Sequence, residues 1–151
     1  MTDIQASLGL SQMKRADSIC SRRSEIAGIY SDLLKSIDWL ILPSYSNDYR
    51  HGFQSYVCLF RPENINETNI QKINKQRNNF MEYLFNNGIS TRPGTHAVHM
   101  LEYYRNKYKI EKTELMNSYI ADSCSVTLPL YQGIKSEEIE YITNKIKAYK
   151  F

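Results

Sequence analysis

Apolar residues recur at Ile4, Leu8, Met13, Ala16 and Ile19, then at Ile26, Tyr30, Leu33, Leu34 and Ile37, close to a 3.6-residue period. That spacing predicts one helix over residues 2–37. Thr2 and Gln5 stand at capping-box spacing, and Asp3 sits where the helix dipole favours an anion. Residues 39–42 read as an extended exit closed by Pro43, and residues 44–52 as a turn-rich stretch. Residues 53–60 read as a strand buried on both faces, because its second half does not alternate. A second helix starts at Asn66 or Thr68, keeps Ile70, Ile73, Arg77, Phe80 and Leu84 on one side, and ends at Asn86-Asn87-Gly88. A short strand over residues 89–92 is stopped by Pro93, and a loop over residues 94–112 carries two histidines and several tyrosines. Residues 113–123 form a third helix, and residues 125–128 a strand ended by Pro129. Ser136 is the expected N-cap of a last helix, with Glu137 and Glu138 in its first turn and Ile139, Ile142 and Ile146 inward.

The expected fold is α/β (α+β): a small antiparallel or mixed sheet of three or four strands, covered by helices on one face, with the long first helix lying along it. Strand order cannot be read at this level. The first helix has a length problem. At 1.5 Å per residue, about 35 residues span roughly 50 Å, whereas a compact domain of this size is roughly 40 Å across. Yet the apolar stripe reaches Ile4 and Leu8. Either something outside this chain covers that end, or the helix breaks at Gly9 or Gly28 into two shorter pieces.

Composition narrows the class. The 151 residues are 42% hydrophobic and 12% aromatic, enough for one globular domain and too apolar for a disordered chain. The longest apolar runs, Trp39-Leu40-Ile41-Leu42 and Tyr56-Val57-Cys58-Leu59-Phe60, fall far short of the roughly 20 residues that cross a bilayer. The N-terminus shows no basic segment followed by an apolar core, so no membrane partner and a cytoplasmic location are expected. Nineteen Lys plus Arg against 16 Asp plus Glu give +3, a mild excess diluted along the chain, and no nucleic-acid partner is expected. Cys20, Cys58 and Cys124 form no CxxC pair. Cys58 and Cys124 read as buried small hydrophobes rather than metal or redox ligands.

Candidate chemistry is sparse. His96 and His99 are three apart but lie in a Pro-Gly loop without a set of metal ligands, and neither GxGxxG nor GxxxxGK[ST] occurs. The best anion-binding constellation is Arg92 at a strand end, followed by a loop with Thr95, His96 and His99. On these residues alone two readings stand: they receive a polar ligand, or Arg92 pairs with a surface carboxylate and His99 caps a turn.

The order of motifs resembles one family. The opening Met1-Thr2-Asp3-Ile4-Gln5-Ala6-Ser7-Leu8-Gly9-Leu10-Ser11-Gln12-Met13-Lys14-Arg15 is similar to a segment of sugar aminotransferases of the DegT/StrS type, and Arg22-Arg23 and Tyr30 continue it. Trp39-Leu40-Ile41-Leu42-Pro43, Arg50-His51-Gly52-Phe53 and Tyr56-Val57 resemble the exit of the family's long helix and the first strand of its small domain. Gly88-Ile89-Ser90-Thr91-Arg92-Pro93, Val98-His99-Met100 and Tyr103-Tyr104 resemble the loop that closes over substrate. Ser125-Val126-Thr127-Leu128-Pro129-Leu130-Tyr131 with Ser136-Glu137-Glu138 resembles the closing strand and helix.

The resemblance implies the C-terminal portion of a pyridoxal 5'-phosphate (PLP) enzyme of aspartate-aminotransferase fold. Residues 1–37 would be its interdomain helix and 38–151 its small α/β domain. Such enzymes are homodimers that transfer an amino group, usually from glutamate, to a keto-sugar on a nucleoside diphosphate. Their Schiff-base lysine, pyridine-nitrogen aspartate and most phosphate ligands lie in the preceding large domain, and no lysine of this chain stands in a matching context. No catalytic residue and no cofactor are therefore expected on this chain alone. The resemblance assigns Arg92, Thr95 and His99 to substrate binding, although Gly94-Thr95 replaces a histidine–tyrosine pair found in many members. The competing readings are a stand-alone binding or assembly module without catalysis and, more remotely, a small basic nucleic-acid binder.

Overall fold

The computed structural model describes residues 1–46 and 48–151. Its elements run α1 (Asp3–Met13), α2 (Ala16–Leu34), β1 (Leu40–Ile41), β2 (Tyr56–Phe60), α3 (Ile70–Asn86), a 3-10 turn (Val98–Met100), α4 (Glu102–Tyr108), α5 (Met116–Cys124), β3 (Ser125–Leu128) and α6 (Ser136–Ala148). The strands form an antiparallel sheet in the order β1-β2-β3, with Leu40 opposite Phe60 and Cys58 opposite Val126. This is the expected mixed α and β architecture.

One face of β2 builds the core. Tyr56, Cys58 and Phe60 are buried while Val57 and Leu59 are only half-buried. The strand is thus not buried on both faces: hydrophobicity runs unbroken, but burial alternates with the pleat. Helices cover the Tyr56 face. Tyr30 of α2 lies 5.2 Å from the Tyr56 ring, and Phe80 of α3 lies 5.7 Å from Phe60. Trp39 packs on Phe60, Phe80, Tyr149 and Phe151, closing the far end. Buried hydroxyls are satisfied, Tyr30 donating to the Pro129 carbonyl at 2.9 Å and Tyr56 sharing a hydrogen bond with Ser31.

Several predicted elements hold in detail. Ile70, Ile73, Arg77, Phe80 and Leu84 are all buried on α3. Its end is a Schellman motif: Gly88 has φ +76°, its N–H donates to Phe85, and Ile89 N–H donates to Leu84. The capping box of Thr2 and Gln5 forms, and β3 spans the predicted residues. Ile139, Ile142 and Ile146 face inward on α6, but its N-cap is Lys135, not Ser136. The Glu138 carboxylate accepts the Lys135 N–H at 2.8 Å, so the acidic first turn performs the capping.

Others are corrected. The helix over 2–37 is two helices, and the break falls at Lys14-Arg15 rather than at either glycine. There Arg15 N–H bonds the Gln12 carbonyl three residues back, while the Arg15 carbonyl accepts Ile19 N–H at 3.0 Å as the first bond of α2, with the Ser18 hydroxyl added to it. Residues 89–92 are no strand, because Gly88 has just reversed the chain and Pro93 cannot donate; a single bridge joins Arg92 to Thr127. The loop over 94–112 contains the 3-10 turn and α4, and the third helix begins at Met116.

No residue of α1 is buried; Ile4 is 83% and Leu8 63% exposed. The apolar residues of α1, including Leu10 and Met13, are spread round the helix rather than gathered in the predicted stripe, and among the described residues nothing buries them despite the break. Leu34, by contrast, is fully buried under the sheet. Leu8→Ala should move the denaturant-unfolding free energy by no more than about 0.5 kcal/mol, whereas Leu34→Ala should cost about 2–5 kcal/mol. Comparable losses from the two would show that α1 packs on this domain.

Candidate functional site

The loop that carries the predicted site residues is clamped to β3. Thr127 N–H donates to the Arg92 carbonyl at 2.7 Å, and Gly94 N–H donates to Ser125 Oγ at 2.9 Å. The clamp brings the backbone so close to the sheet that a Cβ on Gly94 would stand 2.3 Å from Val57 Cγ1 and 2.8 Å from Ser125 Oγ. Only glycine fits, a constraint set by residues 37 and 31 positions away in the chain and therefore invisible to local reading.

Beyond the clamp, Arg92 is exposed and makes no salt bridge among the described residues. The surface-carboxylate pairing considered for it does not form. Its side chain joins Ser90, Thr91, Thr127, Leu128 and Pro129 around a notch of about 180 Å³. An arginine without a carboxylate partner, sharing a notch with Ser90, Thr91 and Thr127, is chemistry suited to phosphate oxygens, which arginine binds through paired N–H donors. Thr95 is exposed and does not line that notch.

His99 is buried in the 3-10 turn, where its Nε2 lies 3.2 Å from the Lys112 carbonyl. A carbonyl can only accept, so Nε2 is the donor in this contact. The His99 Nδ1 is buried without a partner. His99 thus ties the two ends of the loop together, and the structure does not bring it into the Arg92 notch. His96 is exposed and lies 3.6 Å from Asp122, not beside His99 as a metal pair. Among the described residues no group of three or more His, Cys, Asp or Glu side chains is placed to hold a metal.

Nucleophiles are muted. Burial pushes the Cys58 thiol up to about 12, and the Cys124 thiol up to about 11 against an opposing pull from Arg77. Both behave as the expected small hydrophobes. A Schiff-base lysine is activated by desolvation or a neighbouring cation, yet no lysine among the described residues is buried, and the half-buried Lys145 lies over the Tyr141 ring. The residues present do not by themselves fit a pyridoxal cofactor. Among the described residues no helix is long and apolar enough to cross a membrane.

Residues 1–147 match the DegT/DnrJ/EryC1/StrS aminotransferase family, and the chain belongs to it. It is 28% identical over 147 residues to the spore coat polysaccharide biosynthesis protein SpsC of Bacillus subtilis, covering 97% of this chain and 36% of SpsC. It is 26% identical over 149 residues to GDP-perosamine synthase of Vibrio cholerae, covering 99% of this chain and 37% of that enzyme. Among solved structures, the Streptococcus pneumoniae protein Spr1654 in its PLP form superposes with a TM-score of 0.81 at 24% identity, over 97% of this chain and 35% of that one. The chain thus spans little more than a third of the length of the relatives it matches.

The glycine constraint can be tested directly. Gly94→Ala should destabilise the chain by about 1–3 kcal/mol, the usual cost of forcing a methyl group into a packed site. Adding Val57→Ala should recover part of that loss in denaturant unfolding, and simple additivity of the two losses would contradict the contact.

Proposed function

We propose that this chain is the C-terminal portion of a PLP-dependent sugar aminotransferase that moves an amino group, from glutamate as donor, to a keto-sugar carried on a nucleoside diphosphate. The observation that carries the reading is the set of exposed apolar residues on α1 (Ile4, Leu8, Leu10 and Met13) in a chain that matches the family across residues 1–147 yet spans little more than a third of its relatives' length. Residues 1–37 then form the connection to a preceding large domain, and residues 38–151 the small domain. The working enzyme is a homodimer. PLP, held by the large domain, supplies the electron sink for amino transfer.

Within this portion the residues bind and orient rather than react. Arg92 presents its free guanidinium to the diphosphate, with Ser90, Thr91 and Thr127 completing the notch. Thr95, exposed one residue past the clamp, offers a hydroxyl to the same substrate. His99 holds the loop closed through Lys112 and keeps its unpartnered Nδ1 for a sugar or ribose hydroxyl when the loop is reshaped around ligand. A stand-alone assembly module is favoured by the same exposed apolar residues of α1, which would serve equally in docking.

On its own the chain should be inert. Incubation with PLP, borohydride reduction and mass spectrometry should yield no stoichiometric, site-specific adduct. Glutamate should produce no change in the imine absorbance band. A single lysine modified stoichiometrically, with the band responding to glutamate, would overturn the assignment of the cofactor to another domain.

A further inference from the structure

The polar side chains of α3 that face α5 follow one register. Gln71 Nε2 donates to the Tyr119 hydroxyl, Asn74 Nδ2 to the Ser123 carbonyl at 2.6 Å, and Arg77 Nη1 to the Ser125 carbonyl at 3.3 Å. These donors meet a tight junction, since α5 ends at Cys124 and β3 begins at Ser125. The Ser123 carbonyl lies in the last helical turn and has no intrahelical partner. Thr127 N–H points out of the sheet to Arg92, so the antiparallel pattern also turns the Ser125 carbonyl away from β2. Both carbonyls need donors from outside the sheet, and α3 provides them.

Arg77 is an expensive way to provide one. It is only 5% exposed, no carboxylate lies within salt-bridge distance among the described residues, and its Nε has no partner. Burying a guanidinium this way opposes folding, and its neighbours Ile73 and Phe80 show that the site accepts apolar side chains. What an apolar residue could not do is hold the Ser125 peptide. Ser125 is also the residue whose hydroxyl accepts the Gly94 N–H, at the root of the loop bearing Arg92, Thr95 and His99.

We infer that Arg77 is a positioning residue for the loop of residues 92–112: by fixing Ser125 it sets the clamp on Gly94, and through it the placement of Arg92, Thr95 and His99. The importance of that placement rests on the proposed reading of the loop as the substrate loop. The clamp itself does not, so the two can fail separately.

Amide hydrogen exchange by NMR on the full 151-residue chain tests it. In Arg77→Met, exchange of the Gly94 amide should quicken at least tenfold, as it should in Ser125→Ala, while Cys58 and Val126 in the β2–β3 ladder stay within twofold of the unaltered chain. An unchanged Gly94 amide in Arg77→Met, or ladder amides quickened by the same factor, would overturn the inference; the latter would make Arg77 a stabiliser of the whole domain. If Arg77→Met does not fold, the unaltered chain still decides. Its Arg77 Nη protons should exchange slowly and show a nuclear Overhauser contact to Ser125, and a fast-exchanging guanidinium without that contact contradicts the role. A separate titration with a nucleoside diphosphate, followed at Arg92 and Thr95, bears on the substrate reading alone.

Discussion

Tyr56, Cys58 and Phe60 project from the central strand into a layer made by α2, α3 and the aromatic residues after α6, and the other contacts are arranged around that face. Five residues of strand cannot be stable alone; they become so by burying alternate side chains against helices that supply complementary rings. Tyr30 and Tyr56 pack ring to ring, and their hydroxyls reach Pro129 and Ser31, so the same pair joins α2 to the chain just beyond β3. Burial raises both phenols above their ordinary range.

Because helices occupy one face, the other face of β2 is left to the segment that enters the loop. Val57 meets Gly94 there at a distance no larger residue allows, and Ser125 and Thr127 fasten the backbone on either side. A rigid sheet thus delivers an exposed arginine and a hydroxyl-lined notch to the surface, with the longer loop beyond them closed by a histidine.

Much of this was legible in the sequence wherever the signal was local and periodic. The inward face of α3 could be read residue by residue, including the arginine, and Asn86-Asn87-Gly88 marked its end because a left-handed cap needs glycine. The span of β3 was bounded by Pro129. What escaped depended on partners distant in sequence or on a local tightening of the backbone. The break at Lys14-Arg15 comes with a three-residue hydrogen bond from Arg15 to Gln12, the narrowness at Gly94 from Val57, and the work of Arg77 from the Ser125 carbonyl. For the candidate site, whether Arg92 pairs with a carboxylate was open in the sequence, and the residues that line the notch with it are Ser90, Thr91 and Thr127 rather than Thr95 and His99. A loop's internal helix, here α4, breaks the straight line along which neighbouring residues would be pictured together.

On the proposed reading, α1 packs against protein outside this chain. Hydrogen exchange of residues 3–13 in the dilute chain, compared with α3 under the same conditions, tests it most directly. An uncovered helix of 11 residues is marginal in water, so its amides should exchange orders of magnitude faster than those around Phe80 and Leu84 and gain protection only when the large domain proposed to precede it is joined to it. Protection of α1 equal to that of α3 in the dilute, monomeric chain would contradict the account.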